Sequence, residues 1–261
     1  MVGCGHRCIE LSYAIMYKQI MRKVEVKTLF LEKLKEIFVP KGYKPITAAN
    51  IFKRKTDTGF HEYFFAILDY YDTQKIADGF GLRLEPVETI LKTAIAGVFP
   101  DWDEKNDETS VRTNYGRLKF NKINFYYPDI NKAEEAQAVL STMTSFMLEE
   151  GLPLLDRYSD IRNINRDLNV REKIDVFSYK DISTGSYPFY LFRQTIIARL
   201  MQDPIEAYLI MFTRGRILKH GETAEASRYL AAFESLVSYL DTDQGLQELE
   251  KATRQLLSQA E

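Results

Sequence analysis

The chain has 261 residues, 45% of them hydrophobic and 28% charged, a balance that can bury a core and excludes wholesale disorder. Its 35 basic and 37 acidic side chains leave a formal net charge of −2, which offers no cationic excess for phosphate neutralisation, so nucleic acid is not the expected partner. The only cysteines, Cys4 and Cys8, exclude a disulfide-held core, and no run of about eighteen apolar residues is present to span a bilayer. With no cleavable-leader pattern at the start, these features place the protein in the cytoplasm, away from membranes.

Residues 1–22 read as an N-terminal extension. They hold Cys4, His6 and Cys8, but a zinc site needs four ligands, or three plus a solvent position, and no second cluster completes this one. No metal is expected. Val26, Leu29, Phe30, Leu34, Ile37 and Phe38 then recur at helical spacing, which predicts a helix over Glu25–Val39 ended by Pro40 and Gly42. Strands follow at Ile51–Arg54 and Phe60–Tyr71, joined by Asp57-Thr58-Gly59. Lys53, Arg54 and Lys55 lie beside aromatics, as in single-strand nucleic-acid platforms, but charge that protects an edge strand is the favoured reading. The second strand is apolar in both phases and therefore central.

A third strand, Lys75–Leu84, places Ile76, Phe80, Leu82 and Leu84 in one phase and Ala77, Gly79 and Gly81 in the other. Glycine within a strand marks a close approach by another group. Either a helix or neighbouring aromatic rings fill this small-residue face, or it floors a ligand cleft in which His61 is a polar group. Glu85-Pro86 opens a helix to Gly97. Asp101, Trp102, Asp103 and Glu104 begin an acidic loop that holds the only tryptophan. Lys105, Asn106 and Arg112 break its likeness to a calcium loop, and its remaining interest is as a hot spot for a basic partner. Tyr115–Tyr127 reads as further sheet. Asp129 or Asn131 caps a helix reaching past Glu150, broken or kinked at Gly151 and Pro153, with a short helix over Leu154–Asn163. Residues 166–187 form a connector. From Pro188 the pattern is helical throughout, without the repeated signature of a repeat protein.

No catalytic constellation emerges. His61 lacks a visible orienting partner, no nucleophile elbow or P-loop occurs, and Gly79-Phe80-Gly81 lacks the third glycine of a dinucleotide fingerprint. No cofactor and no catalytic residue are assigned.

Several segments resemble a bacterial family known as domain of unknown function number 4304. These are Leu34-Lys35-Glu36-Ile37-Phe38, Gly42-Tyr43-Lys44 and Ile51-Phe52-Lys53-Arg54, with the later Glu150-Gly151-Leu152-Pro153-Leu154-Leu155-Asp156 and Tyr158-Ser159-Asp160. The resemblance covers Val26–Asp160. It implies a bacterial α+β domain without established activity, from a group that includes candidates for toxin immunity, and it carries over no catalytic residue.

The expected architecture is α+β: an antiparallel meander packed by helices in a domain over 23–165, then an all-helical bundle over 188–261. The expected function is non-catalytic binding of a protein partner, of the toxin-immunity kind, through Asp101, Trp102, Asp103 and Glu104. The alternative is a small-ligand binder or enzyme using His61, Gly79 and Gly81. Oligomeric state is left open.

Overall fold

A computed structural model describes residues 21–70, 73–101, 109–120, 127–175, 187–219 and 223–258. Helix α1 (Lys23–Phe38) buries Val26, Phe30, Leu34 and Phe38 along one stripe. Its entry is closed by Glu25, whose carboxylate accepts the Arg22 backbone N–H at 2.8 Å. Pro40 lies in a tight 3-10 turn, and Gly42, at φ 83°, takes the left-handed conformation that reverses the chain.

Five strands follow in a single antiparallel meander, ordered as they occur: β1 (Lys44–Ile46), β2 (Ile51–Thr56), β3 (Gly59–Tyr70), β4 (Thr73–Leu84) and β5 (Val111–Thr113). The β3–β4 pairing runs from Gly59↔Leu84 to Tyr70↔Thr73. It aligns Tyr63, Phe65 and Ile67 with Phe80, Asp78 and Ile76 on one face. That face meets α1, where Phe38 stacks on Phe52 and Tyr63 with ring centroids 5.1 and 4.9 Å apart.

Two strand expectations change. β2 is not the edge: β1 lies outside it, pairing Lys44 with Lys53 and Ile46 with Ile51. β1 is only three residues long and contains Pro45, so the true edge is guarded by shortness and by a missing N–H donor. Tyr115–Phe120 is helix α3, not strand. The Asn114 side chain caps it by accepting the Arg117 N–H at 2.8 Å, while Tyr115 packs against Phe146 and stacks on Tyr127. Of the strand expected beyond it, residues 121–126 lie outside the described residues.

Helix α2 (Glu85–Ile95) starts directly from β4, with Pro86 in its first turn. Helix α4 (Ala133–Phe146) is capped at Lys132 rather than at Asp129 or Asn131, and Glu135 accepts the Asn131 and Lys132 N–H groups. The expected break at Gly151 is a π-helical turn over Met147–Gly151 that leads without interruption into α5 (Leu152–Tyr158). Gly151 leaves room there for the Met147 thioether, whose sulfur would stand 2.5 Å from a Cβ.

Short helices α6 (Ile161–Leu168) and α7 (Arg171–Asp175) precede four longer ones: α8 (Phe189–Leu200), α9 (Ile205–Lys219), α10 (Ala224–Leu240) and α11 (Asp243–Leu257). The C-terminal region is helical as expected; a small apolar cluster of Ile174, Ala198 and Leu209 lies among α7, α8 and α9, and the main core is shared with the sheet. α2 packs against α8, α10 and α11, and one apolar cluster runs from Val26 and Phe80 through Val87 and Leu91 to Phe192, Phe233 and Leu256. At its centre Arg193 Nε and a terminal guanidinium nitrogen donate to Glu88 Oε1 and Oε2, at 2.8 and 3.0 Å, with both side chains buried. Ser110 donates to the same carboxylate at 2.5 Å and accepts the Leu84 N–H at 2.9 Å. Sheet, crossing helix and C-terminal helices thus share one buried polar junction.

Candidate functional site

Strand register decides what the residues singled out in the sequence can do together. His61 pairs with Leu82 and lies on the covered face, whereas Gly79 and Gly81 pair with Phe64 and Glu62 and lie on the opposite face. His61, Gly79 and Gly81 therefore do not converge on one cleft.

His61 is 2% exposed and is held at both ring nitrogens. Arg54 approaches Nδ1 at 2.8 Å, and Ser159, at the end of α5, lies 2.7 Å from Nε2. A guanidinium can only donate, so Nδ1 carries the lone pair and Nε2 the proton. Nε2–H then donates to Ser159 Oγ, whose own hydrogen goes to the Leu155 carbonyl at 3.1 Å. Activation of a serine nucleophile needs the reverse arrangement, an Nε2 lone pair facing the hydroxyl and Nδ1–H facing a carboxylate. Here the carboxylate, Asp156, is bound to Arg54. Burial, and then the Arg54 charge, pull the His61 pKa down to about 4 against the opposing effect of Asp156. The group is a neutral clasp between the sheet and α5.

Gly79 is covered by its cross-strand neighbour: a Cβ there would stand 2.4 Å from the Phe64 ring. At Gly81 the same atom would meet the Val111 carbonyl at 2.4 Å and the Thr109 hydroxyl at 2.8 Å. An aromatic ring fills the space over one glycine, and the chain leading into β5 fills it over the other. Both are close-packing positions.

The remainder of that face is uncovered by any described helix. Phe60, Phe64 and Ala66 are half-buried, and Leu68 and Tyr70, 41% and 51% exposed, continue the apolar line toward the end of the hairpin. Cations flank it. Lys53 lies 3.7 Å from the centre of the Phe60 ring and equally far from a Glu62 carboxylate oxygen. Lys75 pairs with Asp129, and Arg83 with Glu85. Lys44, Lys55 and Arg112, on the same face by register, have no carboxylate partner among the described residues. At the β1–β2 corner the face deepens into an open groove of about 670 Å³ whose walls include Lys44, Ile46, Lys55, Phe60, Glu85 and Gln255. Gln255, reaching from α11, closes one end by donating to the Asp57 carbonyl at 3.2 Å.

Of the acidic loop, Asp101 is exposed, and Trp102, Asp103 and Glu104 lie outside the described residues, as do Cys4, His6 and Cys8. Among the described residues no three His, Cys, Asp or Glu side chains form a metal-binding group, and no helix is long and apolar enough to cross a membrane. The aromatic and lysine residues of the uncovered face were visible in the sequence only as strand composition. Their one available signal was the even-numbered phase Phe60, Phe64, Leu68 and Tyr70, interrupted by Glu62.

Compared with known proteins, the chain matches no family model, no curated protein and no solved structure.

Proposed function

We propose that this chain is a non-catalytic binding protein that docks an acidic, partly apolar segment of a protein partner on the uncovered face of its sheet. The observation that carries this reading is the asymmetry of the sheet. One face is sealed by helices, and the other presents an aromatic and aliphatic line beside Lys44, Lys55 and Arg112, which lack carboxylate partners among the described residues. Apolar contacts supply affinity, and unpaired cations at the rim select an acidic partner and speed its encounter. The partner lies on the face rather than adding a strand, because Pro45 and the shortness of β1 guard the near edge. The His61 clasp supports a non-catalytic role, since its lone pair is committed to Arg54 and its proton to Ser159.

A photo-crosslinking amino acid tests the reading when placed at Leu68 and, as a control, at Leu246, an exposed position on α11. A discrete protein adduct from position 68 and none from 246 is expected, followed by binding between the purified components. Adducts to nucleic acid, or adducts from position 246 alone, would refute it.

A further inference from the structure

Asp78 lies on the covered side of β4, opposite Phe65, and is 4% exposed. Its Oδ2 accepts the Tyr127 hydroxyl at 2.9 Å, and the carboxylate also accepts the Tyr115 backbone N–H. Oδ1 has no partner, and neither has the buried hydroxyl of Tyr63 on the neighbouring strand. Among the described residues, the titratable groups facing it are all tyrosines: Tyr63 from β3, Tyr115 from α3, and Tyr127 from the segment before α4. Phe65 and Phe146 complete the apolar surroundings, the latter 4.9 Å from the Tyr115 ring. No lysine, arginine or histidine among the described residues pairs with this carboxylate. Its own backbone N–H is a third donor, and a buried carboxylate with three donors and no cation among the described residues is under-compensated for its lost hydration.

We propose that Asp78 is a pH-responsive latch: neutral, it closes the seam that β4 makes with α3 and Tyr127, and ionised, it loosens that seam. Proton uptake removes the buried charge and gives the orphan oxygen a hydrogen to donate. Loss of the proton restores a buried charge that the Tyr127 hydroxyl and the nearby backbone N–H groups compensate only in part. Burial raises the carboxyl from 3.8 to about 6, against the smaller lowering effect of the Tyr127 hydroxyl. Because the folded-state value lies above the unfolded one, the stabilisation is fully present below pH 3.8 and is lost as pH rises to about 6. That difference corresponds to roughly a hundredfold change in the closing equilibrium.

The test is amide hydrogen exchange, corrected for intrinsic rates, on peptides spanning 109–130 at about pH 5 and about pH 7.5 in the full chain. The parent protein is expected to protect this stretch at the lower pH and expose it at the higher. Asp78→Asn is expected to abolish the difference and to exchange about tenfold more slowly than the parent at the higher pH. Tyr127→Phe, which removes a donor favouring the charged form, is expected to move the parent's transition to higher pH. Faster exchange in Asp78→Asn than in the parent at the higher pH would overturn the proposal. So would a pH step that survives Asp78→Asn, or a transition moved to lower pH by Tyr127→Phe.

Discussion

Replacing Glu88 by alanine is expected to cost more than any surface change in this chain, and to do so through two elements far apart in sequence. The carboxylate accepts two hydrogen bonds from Arg193 and one from Ser110. Its removal takes the carboxylate away from a guanidinium that is 1% exposed and leaves the Ser110 hydroxyl with only the Leu84 N–H. Removing one partner of a buried ion pair costs about 3–5 kcal/mol, and losing the Ser110 hydrogen bond to the charged carboxylate adds about 1.5–3 kcal/mol. The sum is a quarter or more of the roughly 5–15 kcal/mol that holds a typical domain folded. Glu88→Leu combined with Arg193→Met removes both charges and is expected to recover most of the loss, since apolar residues of similar volume replace buried pairs at little cost. Urea unfolding followed by circular dichroism measures both. Because the pair sits within a core common to the sheet and the C-terminal helices, the midpoint should fall in one transition. A loss below about 1 kcal/mol, or separate transitions for two parts of the chain, would refute the reasoning.

Three further outcomes follow from the same packing. His61 carries a folded-state pKa of about 4 against 6.5, so its contribution is intact above 6.5 and is lost as pH falls toward 4, by about 3 kcal/mol in all. This opposes the Asp78 effect over the same window, so the parent's stability profile should be flatter than that of His61→Gln or Asp78→Asn, each of which exposes the other's slope. Ring-nitrogen NMR should show His61 as the Nε2–H tautomer at neutral pH; an Nδ1–H signal would contradict the Arg54 contact. Gly79→Ala displaces the Phe64 ring and is expected to cost about 1–3 kcal/mol. In the Phe64→Ala background it should cost less, and equal costs in the two backgrounds would show that ring and glycine are uncoupled.

Much of the fold was legible because its periodicities are local. The β3 and β4 alternations, the α1 stripe, and Pro86 at the start of α2 are read within a few residues. What was not legible depends on partners distant in sequence. The Tyr115–Phe120 stretch has the aromatic content of a strand, yet the Asn114 cap and the rings of Tyr127 and Phe146 make it helical. Lys44–Ile46 is too short, and too disrupted by proline, to signal a strand. His61 and Gly79 each looked plausible beside a cleft, and only the Tyr70↔Thr73 register sends them to opposite faces. Arg54 looked like a solvated edge charge, but its phase on β2 directs it to His61 and Asp156. The polar run Arg193-Gln194-Thr195 within a largely apolar helix was the available sign of a buried ionic junction, and its partner Glu88 lies on a helix more than a hundred residues away.

The most direct measurement is the affinity of the purified, crosslink-identified partner for the parent chain and for Leu68→Ala, Lys55→Glu and Leu246→Ala. Binding through the uncovered sheet face predicts a loss of about tenfold or more for Leu68→Ala. Lys55→Glu should slow association in a salt-dependent way, and Leu246→Ala should leave binding unchanged. Unaltered affinity in both sheet-face variants would contradict that mode of binding.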